Sequence, residues 1–351
     1  MKFFLLLTLF ANVFSEINLR GSSSSDESSS DGMSVDNEDF HWKEFSNFQE
    51  RFSKRYSNFQ EIAERFSIFR ENFVSIVKHN ADVTQNFTLG VNQFTDLTSD
   101  EFKAQYLSSY TSQVGSFGCK SFSSSASGSP SSIDWRSKGV VNPVRDQGQC
   151  GSCWTFSTTA NAESVWAIYS GQLLDLSEEF LVDCASGAGY YNMGCNGGNP
   201  DSAFKYMINN GQCSEASYPY KAGTTKTAGT CQTCSAAPVH FSSCSDVKPN
   251  DQVSLKGAVA KQPVAIAIEA DTRYFQSYSG GILDSADCGT NLDHAVEIVG
   301  YGSENGIDYW NVRNSWSSSW GENGYVRIKK TSSTNDPGIC GLAIEPSFLN
   351  V

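Results

Sequence analysis

Gln147-Gly148-Gln149-Cys150-Gly151-Ser152-Cys153-Trp154 gathers an amide donor, two cysteines and two glycines within eight residues. His294 stands 141 residues beyond Cys153, directly after Asp293, and Asn314 opens Asn314-Ser315-Trp316 a further 20 residues on. These residue types suit nucleophilic catalysis. A thiol attacks a peptide carbonyl only as the thiolate, and its pKa falls from about 8.5 to roughly 3.5–7.5 at a helix N-terminus or beside an imidazolium. Cys153 is therefore a candidate nucleophile and Gln147 a candidate oxyanion donor, with Gly148 and Gly151 marking a tight turn. His294 is the histidine with a motif around it; His41 and His79 lie far upstream, and His240 has no recognisable surroundings.

The order and spacing resemble the papain family of cysteine proteases, whose local signature is C-G-[SA]-C-[WY] with His and Asn about 130–150 residues downstream. Two further patterns narrow the resemblance to the cathepsin L-like group. Glu61, Arg65, Phe69, Asn72, Ile76 and Asn80 match E-x3-R-x3-F-x2-N-x3-I-x3-N, and Gly90-Val91-Asn92-Gln93-Phe94-Thr95-Asp96 matches G-x-N-x-F-x-D. Both belong to inhibitory propeptides of that group. The resemblance implies an α+β, papain-like two-domain fold: a helical left domain, a β-barrel-like right domain and an active-site cleft between them, preceded by a helical prodomain.

It also implies roles. His294 would pair with the Cys153 thiolate and protonate the leaving amine. Asn314 would hold the imidazole, and Trp316 would shield that hydrogen bond. The Gln147 amide and the Cys153 backbone N–H would form the oxyanion hole. Gly197 and Gly198 would bind extended substrate. Asn199, Pro200, Ala267, Leu292, Ala295 and Glu345 would line the main specificity pocket, with Asp293 and Trp320 also at the substrate. Most of these are apolar or small, which favours Leu, Phe and Val, and a carboxylate at Glu345 can add Arg or Lys. The implied disulfides are Cys150–Cys195, Cys184–Cys231 and Cys288–Cys340, with Cys213–Cys234 as an extra bridge. Cys119 and Cys244 are left over; they either bond each other, or Cys119 departs with the prodomain and leaves Cys244 free.

Around these motifs the chain divides into segments. Met1-Lys2 and the apolar run from Phe3 to Ala11 read as a secretory signal over residues 1–15, too short to span a bilayer. Residues 16–128 read as propeptide: an acidic, serine-rich disordered tract at about 21–38, a helical inhibitor at about 40–106, and a flexible linker at 107–128. Residues 129–351 read as the mature peptidase. Trp42, Phe45, Phe48, Phe52 and Tyr56, then Ile62, Phe66, Phe69, Phe73 and Ile76, recur at helical steps, and Glu61 is placed to pair with Arg65 one turn on. A helix is expected from Cys153 to a C-terminal glycine at Gly171, a short one capped by Ser177, and strands at 264–268, 294–299, 309–313 and 325–330.

Composition excludes some classes. The 351 residues carry a net charge of −13, which opposes nucleic-acid binding. Eleven cysteines in an exported chain point to several disulfides, and the odd count leaves one thiol over. Cys150-x-x-Cys153 as a redox pair lacks the preceding strand–motif–helix repeat, and Cys231-x-x-Cys234 as half a zinc site lies far from the other pair. No metal or cofactor is expected.

The function expected is a cysteine endopeptidase made as a zymogen, working through an acyl-enzyme. The alternatives are a cathepsin H-like aminopeptidase, in which Cys119 tethers a retained peptide, and a non-catalytic peptide-binding relative. Expected partners are peptide and protein substrates, the chain's own propeptide and cystatin-like inhibitors, with no nucleic acid and no membrane span, on a monomer. The expected location is the secretory pathway, ending in a lysosome- or vacuole-like compartment or outside the cell. Asn86-Phe87-Thr88 is a glycosylation sequon within the propeptide. Ser317 and Ser319 stand where relatives carry glycine, so a positive φ at either would add strain.

Overall fold

A computed structural model describes residues 37–351 apart from 109, 111–113 and 188. The expected signal peptide and nearly all of the acidic tract lie outside the described residues. No described helix is long and apolar enough to cross a membrane.

The expected inhibitor segment begins with helices α1 (Glu38–Arg51) and α2 (Phe59–Asn80), which cross on an aromatic core of Phe45, Phe48, Phe66 and Phe69. Trp42 stacks on Phe66 at 3.6 Å between ring centroids. The helical period places these rings on one face of each helix. It overran the first helix, because α1 ends at Arg51 and leaves Phe52 and Tyr56 beyond it.

The polar positions of the motif reach outward from α2. Asn72 donates to the carbonyls of Thr95 and Leu97, and Asn80 exchanges two bonds with Leu89. Arg65 grips Glu101 through two 2.7 Å contacts and also donates to the Asp96 carbonyl. The expected Glu61–Arg65 pair is not formed. Glu61 lies in the first turn of α2, where it accepts from the Ser57 amide and hydroxyl while Asn58 caps the Glu61 amide. Orphan N–H groups at a helix start outcompete a weak surface pair for that carboxylate.

Strand β1 (Phe87–Leu89) follows, then α3 (Ser99–Tyr106), opened by a capping box between Thr98 and Glu101. Beyond it come β2 (Lys120–Phe122), β3 (Ile133–Asp134) and the helices α4 (Cys153–Ser170), α5 (Glu178–Cys184), α6 (Pro200–Asn210) and α7 (Ala222–Thr225). The C-terminal part holds β4 (Ser243–Val247), α8 (Gln252–Val259), β5 (Val264–Ile268), α9 (Arg273–Gln276), β6 (Tyr278–Leu283), β7 (His294–Glu304), β8 (Ile307–Arg313), β9 (Tyr325–Lys329) and β10 (Ser347–Asn350).

The strands form one sheet in the order β1-β6-β9-β8-β7-β5-β10-β4-β2, with β3 on β7. Both ends of that order come from the expected propeptide: β1 lies antiparallel to β6, and β2 lies parallel to β4. Open sheet edges invite unwanted pairing, and here each is covered by the chain's own N-terminal part. The segment expected to be a flexible linker is thus partly a strand. It is fixed further by a Cys119–Cys244 disulfide, by Phe122 against Phe348 and by the Ser124 amide on Ser254. Serine-rich composition misled here, because a covalent bond and a ladder outweigh local flexibility.

Helix α4 is buried on almost every side, including Thr155, Ser157, Thr158, Asn161 and Glu163; Tyr169, in its last turn, is exposed. Two of its polar groups tie it to the sheet half and a third to the segment before α5. Ser157 donates to the Val296 carbonyl and Asn161 to that of Pro263, while Glu163 accepts the Leu176 amide. Buried polar side chains with such partners fix register as apolar contacts cannot. The helix ends at Gly171 with φ 76°, as a C-terminal glycine should.

Replacing Arg65 with Ala should cost the inhibitor segment about 1–2 kcal/mol, since one charge-assisted pair and one carbonyl contact are lost at a partly exposed site. Arg65 holds the Glu101 carboxyl down at about 2. A depressed carboxylate contributes stability above its unfolded pKa and loses it only as pH falls through about 2. The Arg65→Ala penalty in thermal unfolding of the full chain should therefore be the same at pH 7 and pH 5.

Candidate active site

Cys153 opens α4 and is completely buried. It is the one free cysteine, because the other ten pair as Cys119–Cys244, Cys150–Cys195, Cys184–Cys231, Cys213–Cys234 and Cys288–Cys340. Those pairings remove the redox reading of Cys150 and Cys153 and the zinc reading of Cys231 and Cys234. They also decide between the two fates left open for Cys119 and Cys244 in the precursor.

The turn before the helix is built from glycine for two different reasons. Gly148 has φ 57°, which favours a residue without Cβ. A Cβ on Gly151 would lie 2.5 Å from the Cys195 carbonyl oxygen and 2.8 Å from that of Leu107.

His294 begins β7 and pairs with Ile268 of β5. The next residue, Ala295, offers its backbone amide to the Cys153 sulfur, which brings helix start and strand start to one point. His294 Nε2 lies 2.8 Å from Asn314 Oδ1. That oxygen also accepts the Ser315 amide at 2.8 Å, so the amide orientation is fixed and Nε2 must carry the hydrogen. A neutral imidazole then keeps a bare lone pair on Nδ1, which has no hydrogen-bond partner. Trp316 stacks on the ring at 4.6 Å and 27°, and so covers the His294–Asn314 bond from water.

Gln147 is fully buried and held at every polar atom. Its Oε1 accepts from Ser315 Oγ at 2.7 Å, and its Nε2 donates to the Cys150 carbonyl at 2.9 Å and the Tyr106 carbonyl at 2.8 Å. Tyr106 ends α3, so a carbonyl of the inhibitor segment occupies the candidate oxyanion donor. The following residues continue across the site. Ser108 donates its amide to the Asp293 carbonyl at 3.0 Å, and its hydroxyl lies 3.5 Å from Cys153 Sγ. Phe94 and Phe102 pack edge-on against Trp316, Gln93 donates to the Trp316 carbonyl, and Lys103 pairs with Asp271 at 2.6 Å. Sequence reasoning placed Tyr106 at the end of the helical inhibitor and the following residues in the flexible linker; nothing in their types marked them as the cover of the site.

The remaining expected residues divide. Asn199, Pro200 and Glu345 come together: Asn199 caps α6, Pro200 is its first residue, and Asn199 Nδ2 donates to Glu345 Oε1 at 3.0 Å. Glu345 is 4% exposed, so it faces inward. Ala267 and Ala295 are paired neighbours on β5 and β7, and Leu292 lies beside Gly341. Trp320 donates to the Gln276 carbonyl and packs on Phe275, one layer behind Trp316. At Gly198 an added Cβ would lie 2.5 Å from the Trp154 ring and 2.7 Å from Asn192 Oδ1, so glycine there also meets a packing need. Asn86 gives its side-chain amide to Asp284 at 2.7 Å. Ser317 has φ 68°, the strained conformation anticipated for it; its hydroxyl accepts the Ser319 amide at 3.2 Å, while Ser319 avoids positive φ.

Electrostatically the covered site is switched off. Burial pushes the Cys153 thiol up, although contacts from Ser108 and the Ala295 amide oppose the shift. Burial lowers His294 to about 4 against the pull of Asn314. Both groups are therefore neutral under the cover, and the ion pair that would make the sulfur nucleophilic is suppressed by exclusion of water.

Residues 129–349 match the model described as papain family cysteine protease, and residues 45–102 match the cathepsin propeptide inhibitor domain. Germination-specific cysteine protease 1 of Arabidopsis thaliana is 45% identical over 270 residues, covering 74% of this chain and 70% of the relative. Cysteine proteinase RD21A of the same plant is 48% identical over 265 residues; the match covers 74% of this chain and 55% of that longer protein. A recombinant stem bromelain precursor superposes with a TM-score of 0.80 at 38% identity, covering 89% of this chain and 99% of that one. The chain belongs to the papain family of cysteine proteases, has the papain-like fold and is a zymogen carrying its own inhibitor domain.

Asp293 and His294 titrate in opposite senses as the cover leaves. His294 is depressed to about 4, so the covered state loses stability as pH falls from about 6.5 toward 4. Asp293 is raised by burial to about 7, with Asp271 and Glu269 adding to the shift and the Ala270 amide and Lys103 opposing it. Its proton favours the covered state below its ordinary pKa, a contribution lost as pH rises through about 7. Asp293→Asn should therefore slow self-processing at pH 7 and leave it unchanged at pH 4, as read from intact-mass time courses.

Proposed function

We propose that the protein is a cysteine endopeptidase in which Cys153 is the nucleophile, His294 its base and acid, Asn314 the group that orients the imidazole, and Gln147 with the Cys153 amide the oxyanion hole. The observation that carries this reading is the His294–Asn314 bond, which leaves Nδ1 bare on the residue next to Ala295, whose amide meets the free thiol at a helix start. Once uncovered, His294 takes the thiol proton. The thiolate then forms a bond to the substrate carbonyl carbon as the carbonyl electrons move to oxygen. The imidazolium returns the proton to the departing amine, and water hydrolyses the thioester. Each oxyanion donor contributes about 2.7–4 kcal/mol to the transition state.

The propeptide acts as inhibitor through the same groups, since Tyr106 fills the oxyanion donor and Ser108 lies over the sulfur. The signal at residues 1–15 sends the chain into the secretory route and on to a vacuole-like compartment or the exterior. The enzyme acts as a monomer on peptides and proteins and is open to cystatin-like inhibitors. Apolar side chains fit the pocket lined by Ala267, Ala295 and Leu292. The inward-facing Glu345 adds Arg and Lys, so Glu345→Ala should lower kcat/KM for Arg substrates about tenfold more than for Leu substrates.

Maturation near Ser129 has a consequence set by Cys119. A cut there leaves the piece upstream of it attached through Cys119–Cys244 until that bond is reduced. This bond is the observation that favours the second reading, an aminopeptidase with a tethered peptide in its cleft. The precursor should be incubated at pH 4 with and without Cys153→Ala. We expect self-processing in the native chain alone, and a mature mass that drops further on reduction. Processing that persists in Cys153→Ala would refute the nucleophile, and loss of turnover on blocked peptides with retention on free amino termini would favour the aminopeptidase.

A further inference from the structure

Tyr220 stands beside the turn that carries Gln147 and Cys153, and its phenol joins the two ends of that turn. The hydroxyl lies 2.7 Å from the Gln147 carbonyl oxygen and 2.7 Å from Ser152 Oγ. A carbonyl only accepts, so the single phenol hydrogen goes to Gln147 and the Ser152 hydroxyl donates to Tyr220. The chain of bonds runs from Ser152 through Tyr220 to Gln147 with each direction fixed. Gln147 and Ser152 are fully buried, so neither bond has water as a ready substitute.

Ser152 makes this contact against its local preference. It directly precedes α4, where a serine hydroxyl ordinarily accepts from an amide of the first turn. Here it makes no such bond. The first-turn amides go elsewhere: Thr155 donates to the Ser152 carbonyl at 2.8 Å, and Trp154 to the Cys153 sulfur. A helix cap has been given up for a tie to Tyr220.

The phenol is held in turn by its surroundings. Its ring meets Phe156 of α4 edge-on at 4.9 Å between centroids. Its backbone amide donates to Glu215 at 2.8 Å, and the amides of Lys221 and Ala222 both donate to Glu179 at 2.9 Å. Gly223 completes the seat, because a Cβ there would lie 2.6 Å from the Gln147 carbonyl oxygen and 3.0 Å from the Tyr220 ring. On its other side Gln147 is fixed by Ser315, which accepts the Gln147 amide at 2.9 Å and donates to Oε1 at 2.7 Å.

We infer that Tyr220 is a positioning residue of the oxyanion hole. Through Gln147 and Ser152 it sets the separation of the Gln147 side-chain amide and the Cys153 backbone N–H. The inference rests on the protease reading above and adds to it a residue that touches neither substrate nor sulfur. Two donors serve one developing oxyanion only when their places are held before the charge appears.

In the test, the full chain activated at pH 4 is given a blocked fluorogenic peptide with Leu before the scissile residue. Cys153 is separately alkylated with iodoacetamide, where a sulfur–carbon bond forms as iodide leaves and no oxyanion develops. Tyr220→Phe keeps the ring and removes the hydroxyl. It should lower kcat about tenfold, the size of one hydrogen bond, with KM and the alkylation rate unchanged. That is less than the roughly 100- to 1,000-fold loss on removing an oxyanion donor itself. Ser152→Ala cuts the same chain at its other end and should cost as much, and the double variant should be no slower than either single one. Ser152→Ala also carries the test should Tyr220→Phe fail to fold.

Native kcat in either variant would overturn the inference. Alkylation slowed in step with kcat would overturn it as well, since that marks general damage to the site. So would a double variant whose loss is the product of the single losses, which marks independent roles. A native chain that alkylates at Cys153 yet leaves the peptide uncut would overturn the protease reading, and the inference with it.

Discussion

The sulfur of Cys153 and the ring of His294 ionise more readily in contact with water, and under the inhibitor segment both are fully buried. Burial raises one pKa and lowers the other, so the covered pair rests as thiol and imidazole. The cover coexists with the contacts proposed for catalysis. The Asn314 bond, the Trp316 stack and the Gln147 contacts are already in place under the cover. Under the cover two reactive atoms are kept dry and one side-chain amide is occupied.

The cover is held by many modest contacts and a few continuous ones. Phe94 and Phe102 enter the same apolar core as Phe275, Trp316 and Trp320, so the inhibitor shares the hydrophobic interior of the sheet half. β1 and β2 complete the two edges of the sheet. Removing the inhibitor therefore exposes apolar surface and two strand edges together, which makes the precursor the better-satisfied state of the fold. The Cys119–Cys244 bond makes one end of the cover covalent and resistant to dissociation by dilution.

Helix α4, which carries the proposed nucleophile, shows how polar side chains can be structural. Ser157, Asn161 and Glu163 lie on a buried helix and would read as surface residues in isolation. Their bonds to Val296, Pro263 and Leu176 lock the height of Cys153 relative to His294. A slip of one residue along β7 would carry the imidazole away, and the Ser157–Val296 bond opposes such a slip directly.

Local order was written plainly in the sequence. The glycine turn, the Gly171 helix end, the Ser177 cap and the strand at 264–268 follow from residues a few positions apart, where φ/ψ preference and side-chain period decide the outcome. The motif spacing around Cys153, His294 and Asn314 marked the site, and the odd cysteine count anticipated one free thiol. Partner choice was not legible. Arg65 passes over nearby Glu61 for Glu101, Cys119 finds Cys244 across 125 residues, the serine-rich stretch becomes a sheet edge, and Ser152 gives its hydroxyl to Tyr220 instead of capping its own helix. Each of these is a contest between a local and a distant partner, and its result depends on which group is already prealigned and dry once the chain has packed. Sequence alone determined the chemistry available to this protein; only the tertiary structure decided where that chemistry is kept from water.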